Sequence, residues 1–295
     1  MLPRRRLLLA GLTAALSLPL PAAQDQSIAV SATAIADYVR PAEPAGGPRP
    51  ESYVFAEGRF FDGGTVDRGL VRTTFADITR TMAVNLAKQN YFPANSADAA
   101  DLVIMVHWGT TTIYEDPNRQ FDIENVQAAA AAYNAAQDAG IPADRSAMNL
   151  AMDARATAQE NVADAIQRNA VLLGYARVLD RERRALQPTN VEITMSNELN
   201  EERYFVILMA YDNRLRTRER KAKLLWVTRL SVRSPGNNFV EALPTLAKVG
   251  ADVFGKQIDD LVRVKSPILR SSVRLGELEV IGTVEDKAPP ARPGK

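Results

Sequence analysis

The chain contains no cysteine. That excludes disulfides, a thiolate metal site, a thiol nucleophile and a lipid-bearing cysteine behind a leader. It contains one histidine, His107. A histidine-rich metal centre is therefore excluded, and any serine–histidine–acid system would have to use this one imidazole. Neither sign of charge dominates, with 36 basic and 35 acidic residues. No phosphate-binding G-x-G-x-x-G or Gly-Lys-Ser/Thr run occurs, since Asp62-Gly63-Gly64 matches neither, and no calcium-loop pattern is present.

What the N-terminus does contain is a leader pattern. Arg4, Arg5 and Arg6 form a positive segment, and Leu7 to Leu20 is free of charge. Ala22-Ala23 then supplies small residues for cleavage, and the polar Gln24-Asp25-Gln26 follows. The apolar run of about 14 residues is shorter than the roughly 20 that span a hydrocarbon core. Residues 1–23 are thus expected to be a signal peptide, which places the mature protein in the periplasm or cell envelope. The arginine pair leaves the general and twin-arginine routes both open. Removal of residues 1–23 takes three bases and no acid, leaving 33 against 35 and a formal charge of −2. A near-neutral exported chain is a poor nucleic-acid binder.

Residues 24–50 read as an N-terminal segment followed by a Pro/Gly linker, PAEPAGGPRP. Whether Ser27 to Val39 holds a strand or a helical turn is open. A single α+β domain is expected over 51–285. Its first unit is strand, helix, strand. Ser52–Phe61 is rich in β-branched and aromatic residues. Thr74 is a helix cap with Asp77 as its box partner, and Phe75, Ile78, Met82 and Leu86 form one apolar stripe. Asn90 and Pro93 stop that helix. Asp101–Trp108 is apolar on both faces and belongs inside a sheet, with strand character again at Thr110–Tyr114.

A helical insertion follows over residues 122–186. An alanine-rich arm (Ala128–Ala132) ends at Gly140 and Pro142, and a second arm runs from Ser146 to Leu186 with Gly174 as a weak point. The two arms are expected to form a helical hairpin that packs on its own sheet or meets a partner. The strands Arg203–Tyr211 (central) and Lys223–Arg233 (half-exposed) resume the sheet, joined by a polar loop at 212–222. A second sheet-packing helix is expected over Asn238–Val262, with Pro244 delaying its regular part. A last strand at Val273–Val284 precedes a disordered tail, 286–295. The expected fold is therefore α+β: a mixed, largely antiparallel sheet of about five strands, with two helices on one face and the helical hairpin as an insertion.

Three groups of residues are candidates for chemistry. His107 lies between Val106 and Trp108 and reads as a buried imidazole with one hydrogen bond. Glu115 and Asp116 could act as paired carboxylates in a hydrolase, although Glu115-Asp116-Pro117-Asn118 also reads as a turn. Arg214, Arg216, Arg218, Arg220, Lys221 and Lys223 could meet an anionic membrane surface, or simply be a solvated loop. No metal and no cofactor are implied.

The stretches SYVFAEGRFF, the Phe75–Asn90 helix, ADLVIMVHW and LLWVTRLSV, in that order, resemble a group of uncharacterised bacterial envelope proteins. Many of these are lipoproteins built on a small α/β domain of unknown function. The chain departs from them in its missing lipid-bearing cysteine and in its helical insertion. The resemblance implies envelope location and a non-enzymatic role, and it carries over no site residue. Together these features predict an exported binding or scaffolding module. Its partner would be another envelope protein, or a second copy met through the insertion. A carboxylate-dependent hydrolase and a binder of lipid or a small apolar ligand are the alternatives.

Overall fold

A computed structural model describes residues 27–44, 46–64, 67–114, 119–139, 145–219 and 221–265, with the backbone alone at 119–122, 216, 218 and 219. The leader, Glu115 and Asp116, the expected strand Val273–Val284 and the tail lie outside the described residues.

The expectation of about five strands with two helices on one face is overturned. The described residues form seven strands and eight α-helices, with helices on both faces of the sheet. The strands are β1 (Ser27–Ala34), β2 (Glu51–Phe61), β3 (Tyr91–Pro93), β4 (Leu102–Thr110), β5 (Arg203–Asp212), β6 (Leu224–Arg233) and β7 (Val262–Lys265). Their order across the sheet is β3-β2-β4-β5-β6-β1-β7. β2 is parallel to both β3 and β4, and the remaining pairs are antiparallel. The sheet is therefore mixed and mostly antiparallel. β5 sits at its middle, consistent with a sequence apolar on both faces.

One face is covered by α1 (Arg68–Arg72), α2 (Phe75–Leu86) and α8 (Phe239–Gly250). In α2, Thr74 caps the helix: its side chain accepts from the Asp77 amide while the Asp77 carboxylate accepts from the Thr74 amide. Ile78, Met82 and Leu86 are fully buried against the sheet. Each such side chain contributes about 1.5–3 kcal/mol on leaving water. Trp108 of β4, Trp226 of β6 and Phe239 and Leu246 of α8 fill the same layer.

α8 is shorter than expected and starts earlier. Asn238 caps it, and Pro244 lies inside it, where it removes the hydrogen bond to the Val240 carbonyl. The helix persists because Phe239, Leu243, Leu246 and Ala247 are all buried on one side. Turns follow from residue 251, and residues 262–265 form β7 rather than the end of a helix.

The second face carries the returning part of the insertion, one of the two placements that the sequence left open. The insertion is α3 (Arg119–Asp138), α4 (Ser146–Leu173) and α5 (Ala176–Glu182), followed by α6 (Asn190–Leu199). Gly174, in the left-handed conformation (φ 83°), ends α4. The last turns of α4 and all of α5 and α6 return to the sheet. Ala170, Leu173, Leu179, Met195 and Leu199 pack there on Phe205, Ile207 and Val227. β6 is consequently covered on both sides rather than half-exposed, and Ser231 on its supposed solvent side is buried. Two smaller corrections follow. β4 ends at Thr110, and 111–114 has no regular structure. The 212–222 connection contains a short helix, α7 (Asn213–Glu219).

Candidate functional site

His107 lies on β4, on the face opposite the α2–α8 layer, and is half-buried. Its Nδ1 accepts a hydrogen bond of 2.8 Å from the Arg59 backbone amide. An accepting Nδ1 is unprotonated, so a neutral ring carries its proton on Nε2. The contact depends on Gly58: a Cβ there would fall 2.6 Å from both His107 Nδ1 and the Val106 carbonyl. Burial holds the imidazole below its ordinary pKa. No hydroxyl or carboxylate hydrogen-bonds to the ring among the described residues. The ring is occupied by the backbone in the way a structural histidine is.

The basic cluster is divided by the structure. Arg214 pairs with Asp101, which also accepts from the Ser52 amide and hydroxyl, each at 2.9 Å. Burial opposes ionisation of Asp101, but these donors outweigh it and hold the carboxyl below the usual range. Arg216 and Arg218 lie on α7 with only their backbone described, Arg220 is outside the described residues, and Lys221 and Lys223 are exposed. Among the described residues no group of three or more His, Asp or Glu could hold a metal ion.

A separate network was missed by sequence reasoning. Tyr38 donates to Glu51 Oε2 at 2.5 Å and shares a hydrogen bond of 2.8 Å with Tyr91. The Arg40 guanidinium lies 4.1 Å from the Tyr91 ring centroid. Burial raises Glu51 despite the Tyr38 bond, and burial pushes Tyr91 up to about 12. These contacts tie the segment between β1 and β2 back to the sheet. Arg40 also donates from Nη2 to the Gln89 carbonyl at 2.5 Å, and the network is a clasp.

The insertion supplies an arm. α3 and the first part of α4 pack on each other. Ile123, Val126, Ala129, Ala130, Tyr133 and Ala136 on α3, and Met148, Ala151, Ala158 and Val162 on the first part of α4, are half-buried, spaced at helical intervals as a seam requires. No residue from 146 to 164 is buried, and Leu150 and Met152 are 73% and 52% exposed. The arm is anchored at its root by Asn169, whose amide donates to the Thr112 carbonyl at 2.9 Å and the Leu199 carbonyl at 3.3 Å.

At that root lies a cleft of about 210 Å³. Its floor is the sheet, through Ser31 and Thr33 of β1 and Arg229 of β6; Ser31 stands opposite Arg229 in the strand register. Val171 and Gly174 at the end of α4 form one wall, with Arg177 and Val178 of α5. Ile258, Asp260 and Leu261 close the other side. Gly174 admits no side chain, since a Cβ would fall 2.4 Å from Ser31 Oγ and 3.1 Å from Arg229 Cδ. Arg177 donates to the Ile258 carbonyl at 3.1 Å and also to the Asp259 carbonyl. Asp260 pairs with Arg181 at 2.7 Å. Arg229 has no hydrogen bond or ion pair among the described residues. Burial pulls its guanidinium below the ordinary value, and no carboxylate offsets that. The sequence signal for this site was a charged residue inside an apolar strand, which reads as solvent-facing unless the second helical layer is known.

No protein-family model and no curated protein matches the chain. No described helix is long and apolar enough to cross a membrane.

Proposed function

We propose that the protein is an exported component of the cell envelope that works by contact, with the α3–α4 arm as its binding surface. The observation that carries this reading is the stretch 146–164 of α4, in which no residue is buried, whereas Ala165, Asn169, Ala170 and Leu173 further along the same helix are. A helix rises 1.5 Å per residue, so these 19 residues reach roughly 28 Å. A two-helix arm of that reach orders many residues and buries little within its own domain, and a protein partner would offset that cost. The leader pattern supports the envelope address, and the backbone-bound His107 supports binding over catalysis.

The hydrolase alternative rests on Glu115 and Asp116, which lie outside the described residues. The lipid alternative calls for an apolar cavity of several hundred cubic ångströms, whereas the cleft is about 210 Å³ and contains an arginine.

The test is photocrosslinking in intact cells from a probe placed at Met152, with a probe at exposed Val84 of α2 as the control. A discrete adduct from Met152 alone supports the reading, and its mass distinguishes a second copy from another protein. Equal labelling from both positions, or none from Met152, overturns it.

A further inference from the structure

We infer that the cleft at the root of the arm is a binding site for a small organic monocarboxylate: one carboxylate held by Arg229, Ser31 and Thr33, with a short apolar body against Val178 and Leu261. This goes beyond the contact role of the arm and does not depend on it.

The first observation is the guanidinium itself. Arg229 is half-buried on the floor of the cleft and meets no acceptor among the described residues. Arginine cannot shed its charge, so a desolvated guanidinium requires a counter-ion or an acceptor. The other arginines near it are already engaged. Arg177 spends donors on the carbonyls of residues 258 and 259, and Arg181 takes Asp260. Arg177 keeps its charge but has donors engaged, so Arg229 is the cation on the described lining with no hydrogen bond or ion pair.

The second observation is the pair of hydroxyls. Ser31 is the cross-strand neighbour of Arg229, and Thr33 lies two residues further along β1, hence on the same face. Neither hydroxyl has a hydrogen-bond partner among the described residues. A fork of guanidinium donors flanked by two hydroxyl donors is the arrangement that recognises an oxyanion, since all of these groups can donate to it.

Charge and size narrow the class. Arg229 offers one planar guanidinium fork, which matches the two oxygens of a carboxylate. The volume of about 210 Å³ falls below the roughly 300–1,000 Å³ of pockets that enclose drug-sized molecules. Aliphatic side chains also line the cleft: Val171, Val178, Ile258 and Leu261. A carboxylate with a short hydrocarbon body satisfies all three constraints.

The experiment is calorimetric titration of the full mature chain with hexanoate, hexanol, hexylamine and inorganic phosphate, each against wild type, Arg229→Met and Ser31→Ala. The expected result is saturable one-to-one binding of hexanoate, with no heat from hexanol, hexylamine or phosphate at the same concentration. Arg229→Met should weaken hexanoate about tenfold or more, the factor that loss of a charge-assisted hydrogen bond carries. Ser31→Ala should weaken it less. Circular dichroism checks that each variant is folded. Should the methionine variant misfold, Arg229→Lys keeps the charge, loses the planar fork and should still weaken binding. Absence of hexanoate binding to wild type, hexanoate binding unaffected by the folded Arg229 variant, or equal binding of hexanol would each overturn the assignment. Phosphate binding as tightly as hexanoate would overturn the monocarboxylate class.

Discussion

The Arg59 amide donates to Nδ1 of His107 across the β2–β4 pair at 2.8 Å, and this bond occupies one nitrogen of the only imidazole in the chain. Protonating Nδ1 would break it, and burial already disfavours the charged ring. The folded-state pKa lies below the ordinary 6.5, so the unfolded chain takes up its proton first as pH falls. The stability tied to neutral His107 is present above pH 6.5 and is lost as pH drops through the folded-state value. With one histidine, a single set of imidazole resonances reports the titration by NMR. A midpoint at or above 6.5 would contradict the structural role. Gly58→Ala should unfold the protein more readily, by about 1–3 kcal/mol, because the added methyl meets both the ring and a backbone carbonyl.

Acid should act through a carboxylate as well. Asp67 caps α1, accepts from Tyr204 Oη at 2.5 Å and accepts from the Phe239 amide at 3.3 Å, so it joins two helices to the central strand. Burial raises its pKa, but these hydrogen bonds outweigh burial and hold the carboxyl below 3.8. Its contribution is therefore complete above that value and is lost as pH falls through the lower folded-state value. Asp67→Ala should cost about 1–3 kcal/mol at neutral pH and flatten the acid limb of the stability profile. Urea unfolding between pH 2 and pH 7 measures both effects. An unchanged acid limb would remove Asp67 from the account.

Gly174 carries two constraints at once: a left-handed backbone and contact with Ser31. Gly174→Ala should cost about 1–3 kcal/mol, with the larger figure expected if β1 cannot shift. Gly64 has the same left-handed backbone (φ 81°) but a Cβ there meets nothing within 4 Å, so alanine there serves as the comparison. Equal midpoints for the two variants would mean that the root of the arm is looser than its geometry.

Leu150→Glu and Met152→Glu should leave the unfolding midpoint within about 0.5 kcal/mol of wild type, the range for surface changes. Neither position is buried against the domain. The same variants should reduce any adduct formed from the arm. A destabilisation of core size, roughly 2 kcal/mol or more, would place this part of α4 against the domain instead.

The elements that were legible in the sequence are those whose signals are local. The Thr74–Asp77 box and the Ile78–Met82–Leu86 stripe required only helical spacing, and both appear as expected. The apolar run Arg203–Tyr211 lies at the middle of the sheet for the reason its composition implied. Of the second helical layer, the return of the insertion to the sheet was one expectation, but its reach over β6 was not legible. Arg229 and Ser231 are polar, and polarity in an alternating strand reads as solvent. Here it marks the floor of a cleft and a buried hydroxyl that receives Arg203 at 3.2 Å. The residues 190–199, NVEITMSNEL, include β-branched positions and little periodic contrast, so α6 escaped notice. The cleft draws on residues 31, 174, 229 and 260, which no spacing rule connects.

The placement of β1 between β6 and β7 has a consequence for how the chain comes together. Its neighbours lie about 200 residues away in sequence, so neither of its edges can be paired until almost all of the described chain has been made. Such distant pairing is slow, because loop closure precedes any gain from contact. A nascent chain of this kind stays open from its first strand onward. The first strand to be made is thus among the last to be paired.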